Sequence, residues 1–149
     1  MQRDRIMSSD LTIGQAAQQS GVKVPTIRYY EDIGLLPAPP RTESNRRLYG
    51  ARELKRLAFI RHARELGFEV DAIRTLLSLQ DDPHQSCAAA DAIAQARLAE
   101  VRGRIARLRA LERELERMAH SCATTGEVCE CNVIETLADS THHHGRLDD

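Results

Sequence analysis

Leu11–Leu36, with the sequence LTIGQAAQQSGVKVPTIRYYEDIGLL, is the stretch that decides the fold. Apolar residues recur at helical spacing ahead of Gly21, which supplies a turn, and Pro25 stands in the first turn of a second helix, where its missing N–H costs little. This second helix is expected to end at Gly34. Its hydrogen-bonding and cationic side chains are those of Thr26, Arg28, Tyr29 and Tyr30. Two helices joined by a short glycine-containing turn, with such a face on the second, are typical of a helix-turn-helix motif that enters the major groove of DNA.

A proline-containing stretch, PAPPRTESNRRLYG, follows at 37–50 and predicts a short hairpin, or wing. Ser44 and Asn45 lie where a tight turn would join two short strands. The side chains of the wing that are expected to bind DNA are Arg41, Arg46, Arg47 and Tyr49. Arginines on such a hairpin would bind phosphate oxygens beside the groove, a contact that positions a protein without reading base sequence. A helical hairpin followed by a solvated turn is the alternative, but the two motifs in this order favour duplex DNA.

Positive charge is concentrated in the part of the chain that carries these motifs. Residues 1–70 hold 12 Lys and Arg against 8 Asp and Glu, whereas residues 71–149 hold 9 against 14. The 149 residues allow one compact domain with an extension. No apolar run approaches the ~18 residues of a membrane span and no signal peptide is evident, so we expect a cytoplasmic protein, without membrane contact, whose cysteines are thiols. The sequence contains no phosphate-binding loop, nucleophile elbow or His-Glu-x-x-His pair, so we expect no enzyme.

The motifs resemble those of the MerR family of bacterial transcription regulators. The resemblance rests on the helix-turn-helix run, on the signatures RYY at 28–30 and RLY at 47–49, and on RELKRLAFIRHARELGFEVDAIRTLL at 52–77, and it covers residues 11–137. It implies a winged helix-turn-helix domain over residues 11–80. It also implies a regulator that binds a palindromic site between two promoter elements spaced too far apart for RNA polymerase, and that activates transcription by twisting and bending the DNA.

One long helix is predicted from about Ala88 to Met118, because this stretch lacks proline and is rich in Ala, Arg, Glu and Leu. Its apolar seam consists of Leu98, Val101, Ile105, Leu108, Leu111, Leu115 and Met118, at spacings typical of a coiled coil. A helix of about 45 Å at 1.5 Å per residue would extend beyond a domain of this size, so the seam needs a partner. We expect residues 87–119 to form a homodimer, with Gly103 costing ~1 kcal/mol relative to alanine or marking a close helix crossing.

Four cysteines flank this helix: Cys87, Cys122, Cys129 and Cys131. Within one chain, Cys87 and Cys122 would be on the order of 50 Å apart and could not share an ion. In an antiparallel dimer, Cys87 of one subunit would lie beside the loop cysteines of the other, giving two symmetric sites across the interface. Thiolates are soft ligands that suit Cu(I), Zn(II) and heavier thiophilic ions. Buried small hydrophobes are the alternative role for these cysteines.

The cysteine positions also resemble those of the metal sensors in the MerR family. Cys87, Cys122 and Cys131 match the three ligand positions of sensors of divalent ions, and Cys129 matches the shorter loop spacing of other relatives, so Cys129, Cys131 or both could be ligands. A cysteine at 87 distinguishes the chain from the copper-sensing branch, which has a hydroxyl residue there. Ala123 and Thr125 stand near the positions where the zinc-sensing branch adds ligands, which favours Cd(II), Pb(II) or Hg(II) and leaves Zn(II) open.

The expected architecture is mainly α: a winged helix-turn-helix DNA-binding domain, a long antiparallel coiled-coil dimerisation helix, and a C-terminal metal-binding loop with a short helix over residues 120–138. Residues 1–10 and a histidine-containing tail at 139–149 are expected to be flexible, and the tail's His142, His143 and His144 leave open a second role in metal capture. Two other functions remain to be weighed. One is a regulator that senses thiol oxidation, and the other is a metal-buffering coiled-coil protein, which would leave the recognition helix and the wing without a role.

Overall fold

Six helices are present in the part of the chain that the structure, a computed structural model, describes: residues 11–120, 127, 131–139 and 141. In chain order they are α1 (Ile13–Ser20), α2 (Val24–Asp32), α3 (Ala51–Glu65), α4 (Val70–Asp81), α5 (Ala88–His120) and α6 (Asn132–Ala138). The chain forms two compact units, Met1–Ile93 and Ala94–Asp149. The prediction of a mainly helical chain is confirmed. The predictions for the first ten residues, for Cys122 and Cys129 and for the three tail histidines lie outside the described residues.

The first two helices are bounded by local signals, among which Gly21 and Pro25 were predicted from the sequence. At the start of α1, Thr12 accepts a hydrogen bond from the Gln15 N–H at 3.2 Å and donates its own N–H to Gln15 Oε1 at 2.9 Å, a reciprocal cap. Gly21 ends α1 in the left-handed region at φ 73°. Pro25 stands in the first turn of α2, as predicted. The turn between the helices is therefore short, and α2 is held close to α1.

The wing is a tight loop rather than a pair of strands. Arg41 and Arg47 form an isolated antiparallel bridge, and the Thr42 N–H donates to the Arg46 carbonyl at 2.8 Å. Asn45 occupies the left-handed region at φ 65°, which asparagine tolerates better than most residues. The expectation of two short strands is wrong, because the prolines before Arg41 have no N–H to extend a ladder. The turn itself lies at the predicted place.

The wing is attached to the start of α1. Leu11 and Tyr49 exchange two backbone hydrogen bonds, of 2.8 and 2.9 Å, in a second isolated bridge. Behind this bridge lies the core of the first unit, to which α2, α3, α4 and the wing contribute large side chains. The largest fully buried ones are Tyr49, Ile27, Leu35, Leu36, Leu57, Ile60, Ile73 and Leu77. Each buried aliphatic side chain contributes about 1.5–3 kcal/mol to stability. Because Tyr49 belongs to this core, the core holds the wing as well as the helices.

Arg56 of α3 ties two other parts of the first unit together. Its Nε donates to the Leu35 carbonyl at 2.9 Å, in the turn that follows α2. Its Nη1 lies 3.0 Å from Oδ1 of Asp81, the last residue of α4. One guanidinium therefore connects the turn after α2 to the end of α4, just before the chain enters α5.

The long helix α5 is continuous over 33 residues, close to the predicted bounds. Within the second unit, its apolar seam is largely uncovered: Leu108 is 47% exposed and Leu115 is 62% exposed, although Met118 is buried. The C-terminal part of α5 and the end of α6 line an open apolar groove of about 790 Å³, which includes Leu111 and Leu137. An exposed apolar face of this kind is typical of an interaction surface.

Candidate nucleic-acid interface and cysteine positions

The outer face of α2 carries the side chains that are suited to DNA. Arg28 and Tyr29 are exposed, and Thr26 is half-buried. Beside the start of α2 lies a shallow groove whose lining includes Lys23, Thr26 and Tyr30. From α3 it includes Arg64 and also Arg61 and Glu65, whose side chains form an ion pair at 2.8 Å. The groove therefore holds three cations against one carboxylate, and the N-terminus of α2 beside it favours anions, so the surface suits a phosphate backbone.

Two of the tyrosines predicted to contact DNA are core residues. Tyr30 is 7% exposed and Tyr49 is 0% exposed, whereas Tyr29 is half exposed. Tyr49 therefore cannot contact DNA, and the expectation is corrected for this residue. Tyr30 is nearly buried but also lines the groove beside the start of α2, so its contact with DNA stays a prediction. Residues next to each other on a helix point in different directions, so Tyr29 faces outward while Tyr30 faces the core. Tyr49 is buried because its strand-like bridge to Leu11 turns its ring inward.

The sequence analysis missed Glu31, which forms a buried network with the wing. The Tyr49 hydroxyl donates a hydrogen bond to Glu31 Oε1. Arg47 Nε lies 2.9 Å from Glu31 Oε2, an ion pair that lacks the alignment of a hydrogen bond. Burial raises the pKa of Tyr49, and the hydrogen bond to Glu31 raises it further. The signal in the sequence was an acidic residue placed directly after the cationic signature of α2.

The wing arginines fall into two classes. Arg46 is exposed, and Arg41 is exposed while its Nη1 donates to the Asn45 carbonyl at 3.1 Å, which stiffens the tip. Arg47, by contrast, exposes only 26% of its side chain and faces Glu31. The structure thus presents two wing cations outward and directs the third toward α2.

Two of the four cysteines lie within the described residues. Cys87 is an exposed free thiol, and its carbonyl accepts the Asp91 N–H at 2.9 Å, so it immediately precedes the first turn of α5. Cys131 is half-buried and is the N-cap residue of α6. Groups of three or more potential metal ligands are not found among the described residues, from which Cys122 and Cys129 are missing. An exposed thiol at neutral pH is accessible to a thiophilic ion.

Comparison with known proteins identifies the family of the chain. The profile described as MerR HTH family regulatory protein matches residues 11–80, and the one described as MerR, DNA binding matches residues 54–118. The HTH-type transcriptional regulator ZntR of Escherichia coli strain K12 is 43% identical over 127 residues, which cover 84% of this chain and 90% of that protein. The chain belongs to the MerR family.

Two solved structures of MerR-family regulators are similar over most of the chain. One is the transcription regulator PbrR691 from Ralstonia metallidurans CH34 in complex with lead(II), with a TM-score of 0.72, 41% identity and coverage of 85% of this chain and 98% of that one. The other is the dual function transcriptional regulator MerR from Bacillus megaterium MB1 in complex with mercury(II), with a TM-score of 0.65, 30% identity and coverage of 87% and 100%. The fold is therefore that of the family along the full length of these relatives.

Family membership confirms that the chain is a DNA-binding transcription regulator and not an enzyme. The predicted winged helix-turn-helix architecture with a long C-terminal helix is confirmed as well. Among the helices that the structure describes, none combines the length and the apolar character that a membrane span requires.

Proposed function

We propose that this MerR-family protein is a cytoplasmic, homodimeric transcription activator that responds to a thiophilic divalent ion: Cd(II), Pb(II), Hg(II) or Zn(II). The single observation that carries the proposal is the exposed Cys87 thiol at the start of a long helix with an uncovered apolar seam. The similarity to PbrR691 with lead(II) and to MerR with mercury(II) supports a metal response. It favours this hypothesis over a thiol-redox regulator and over a metal-buffering coiled coil.

Each subunit would bind one half of a palindromic promoter site through its domain at residues 11–80. In this proposal Thr26 and Arg28 of α2 face the major groove, and Arg41 and Arg46 of the wing contact phosphates. The exposure of the three arginines supports their roles. Two such half-sites would allow the dimer to twist and bend promoter DNA, so that RNA polymerase meets both of its recognition elements.

The dimer would form through residues 87–119, with the α5 helices antiparallel. The exposed leucines of the seam support this assignment, because two copies of the face would cover each other. Gly103 also fits, since a Cβ placed there would meet no atom within 4 Å and the space beside it is open to a second helix.

Cys87 of one subunit and Cys122 with Cys129, Cys131 or both from the other would hold the ion. Their thiolates form the soft donor set that these ions prefer, and a bound ion would cross-link the loop at 120–138 to the start of the partner's α5. Cys87 immediately precedes α5 and follows α4, whose last residue is paired with Arg56. A change at Cys87 is therefore well placed to reach the DNA-binding domain. The histidines of the tail at 139–149 would add no ligand that this set requires.

The test combines DNA selection with an anaerobic metal titration of the full-length protein. We expect the protein to enrich one palindromic duplex from a random-sequence pool. We also expect it to bind Cd(II), Pb(II), Hg(II) or Zn(II) with the ultraviolet absorption of metal–thiolate bonds, and to return all its thiols when a chelator removes the ion. The matched variant Cys87→Ser should select the same duplex but bind the ion weakly. Loss of thiols without metal would favour redox sensing, and failure to enrich any duplex would contradict the regulator.

A further inference from the structure

Glu31 is an acidic side chain on the DNA-facing helix, yet it exposes only 7% of its surface. One carboxylate oxygen accepts a hydrogen bond from the Tyr49 hydroxyl, and the other lies 2.9 Å from Arg47 Nε. Both partners belong to the last part of the wing, just before α3. The carboxylate therefore joins the recognition helix to the base of the wing.

The charges around this carboxylate explain why it is tolerated next to DNA. Arg47 faces it directly, and Arg28 is close enough that its charge lowers the pKa of Tyr49, against the larger effect of burial. Because the positive charge of Arg47 lies beside it, the carboxylate contributes little net repulsion to a phosphate backbone. In return, the guanidinium of Arg47 is directed toward α2, unlike that of the exposed Arg46.

We propose that Glu31 is a positioning residue for DNA recognition, which holds the wing at a fixed distance from α2 and keeps the charge of Arg47 away from DNA phosphates. The inference rests on the proposed function, in which α2 and the wing bind one duplex together. A specific site requires both contacts at once, whereas random DNA is held mainly by phosphate attraction. Glu31 would therefore set selectivity without touching DNA.

The variant that tests this is Glu31→Gln, which retains an oxygen to accept from Tyr49 but loses the charge that pairs with Arg47. The probes are a duplex of about 30 bp that the parent protein has selected from a random pool and a shuffled duplex of the same composition. We expect about a tenfold loss of affinity for the selected duplex and no loss for the shuffled one. The slope of log affinity against log salt should steepen by about 0.9, because the released Arg47 can neutralise one more phosphate. If Glu31 only stabilised the fold, its replacement would leave this slope unchanged.

The matched control is Asp32→Asn, which removes the same charge at the next, exposed position of α2. It should strengthen binding to both duplexes slightly and equally. In the double variant Glu31→Gln with Arg47→Met, the extra charge is gone, so the salt slope should return to that of the parent. Urea unfolding of each variant checks that the domain remains folded.

If Glu31→Gln matches Asp32→Asn in both selectivity and salt slope, the inference is wrong. Should Glu31→Gln fail to fold, Arg47→Met alone decides: the inference requires lower selectivity with an unchanged slope, and a slope reduced by about 0.9 would identify Arg47 as a phosphate contact instead. These outcomes are distinct from failure of the proposed function, in which the parent protein itself would select no duplex.

Discussion

The Tyr49 hydroxyl is a polar group in the core of the first unit, and it is stable there because the Glu31 carboxylate accepts a hydrogen bond from it. A buried hydroxyl without a partner costs free energy, whereas one that donates to a charged acceptor contributes about 1.5–3 kcal/mol. The ring of Tyr49 fills the core, and its oxygen fixes Glu31. This single residue thus serves both the packing of the domain and the geometry of its DNA-facing surface.

We expect Tyr49→Phe to lower the free energy of unfolding by about 1–3 kcal/mol, because Glu31 loses its hydrogen-bond donor while the ring still fills its space. Urea unfolding at neutral pH measures the change. The control is Tyr29→Phe, since Tyr29 is half exposed and its hydroxyl is free to meet water. An equal loss in both variants would contradict the role of the buried hydrogen bond.

The difference in free energy of unfolding between the parent and Tyr49→Phe should depend on pH. The pKa of Tyr49 lies above its ordinary value of 10.0, chiefly because of burial and then because of the hydrogen bond to Glu31. The unfolded state therefore releases the proton first, and the stability that Tyr49 contributes is complete below pH 10 and is lost as the pH rises above it. Urea unfolding at a series of pH values should therefore show that the parent loses its excess free energy of unfolding over Tyr49→Phe above pH 10.

At the scale of the elements, helical spacing and capping residues were enough to predict α1, α2 and α5. Gly21 and Pro25 act through local backbone chemistry, so the sequence carries their effect directly, whereas the Thr12 cap at the start of α1 was not predicted. The position of the wing was predicted correctly, but its two short strands were not found, because its prolines limit it to one bridge. Contacts between distant segments, such as that of Arg56 with the Leu35 carbonyl, leave no local signal in the sequence, so only the three-dimensional structure reveals them.

The seam of α5 gives a prediction at this scale. Leu108→Glu or Leu115→Glu places a charge in the apolar face, so we expect folded monomers with weak affinity for a palindromic duplex, because a single half-site binds poorly. Sedimentation velocity reports the mass, and circular dichroism reports the fold. Ala110→Glu, an exposed position away from the seam, adds the same charge and should remain dimeric. If the seam variants sediment as the parent does, another surface must form the dimer.

At the scale of the whole molecule, the sequence predicted the regulator but misplaced part of its DNA-facing surface. Tyr49 was assigned to DNA because hydroxyl-bearing aromatics suit both a groove and a core, and the one-dimensional pattern does not separate the two. Glu31 was overlooked because the role of an acidic residue beside a cationic signature depends on its contacts, here with Arg47 and Tyr49, which the sequence does not show. The cysteine site is a different case, since it depends on a second subunit, and it stays a prediction.

The intersubunit metal site can be tested by complementation between two inactive chains. Cys87→Ser and Cys122→Ser chains with different affinity tags are produced together, and the heterodimer is isolated by purification on both tags. In an antiparallel dimer, both substitutions fall on one site and the other site keeps every thiolate, so we expect each heterodimer to bind one ion tightly. Either homodimer should bind none tightly, because each of its sites lacks a soft ligand.

Anaerobic titration with Cd(II), followed by the absorption of metal–thiolate bonds, counts the sites in each species, and the parent dimer should show two. The control is a heterodimer that carries Cys87→Ser in both tagged chains, which has no intact site. A site built within one chain makes the opposite prediction, since each chain of the mixed dimer would then lack one ligand and no tight site would remain. Tight binding by the mixed dimer alone therefore requires that Cys87 and Cys122 of different subunits hold the same ion.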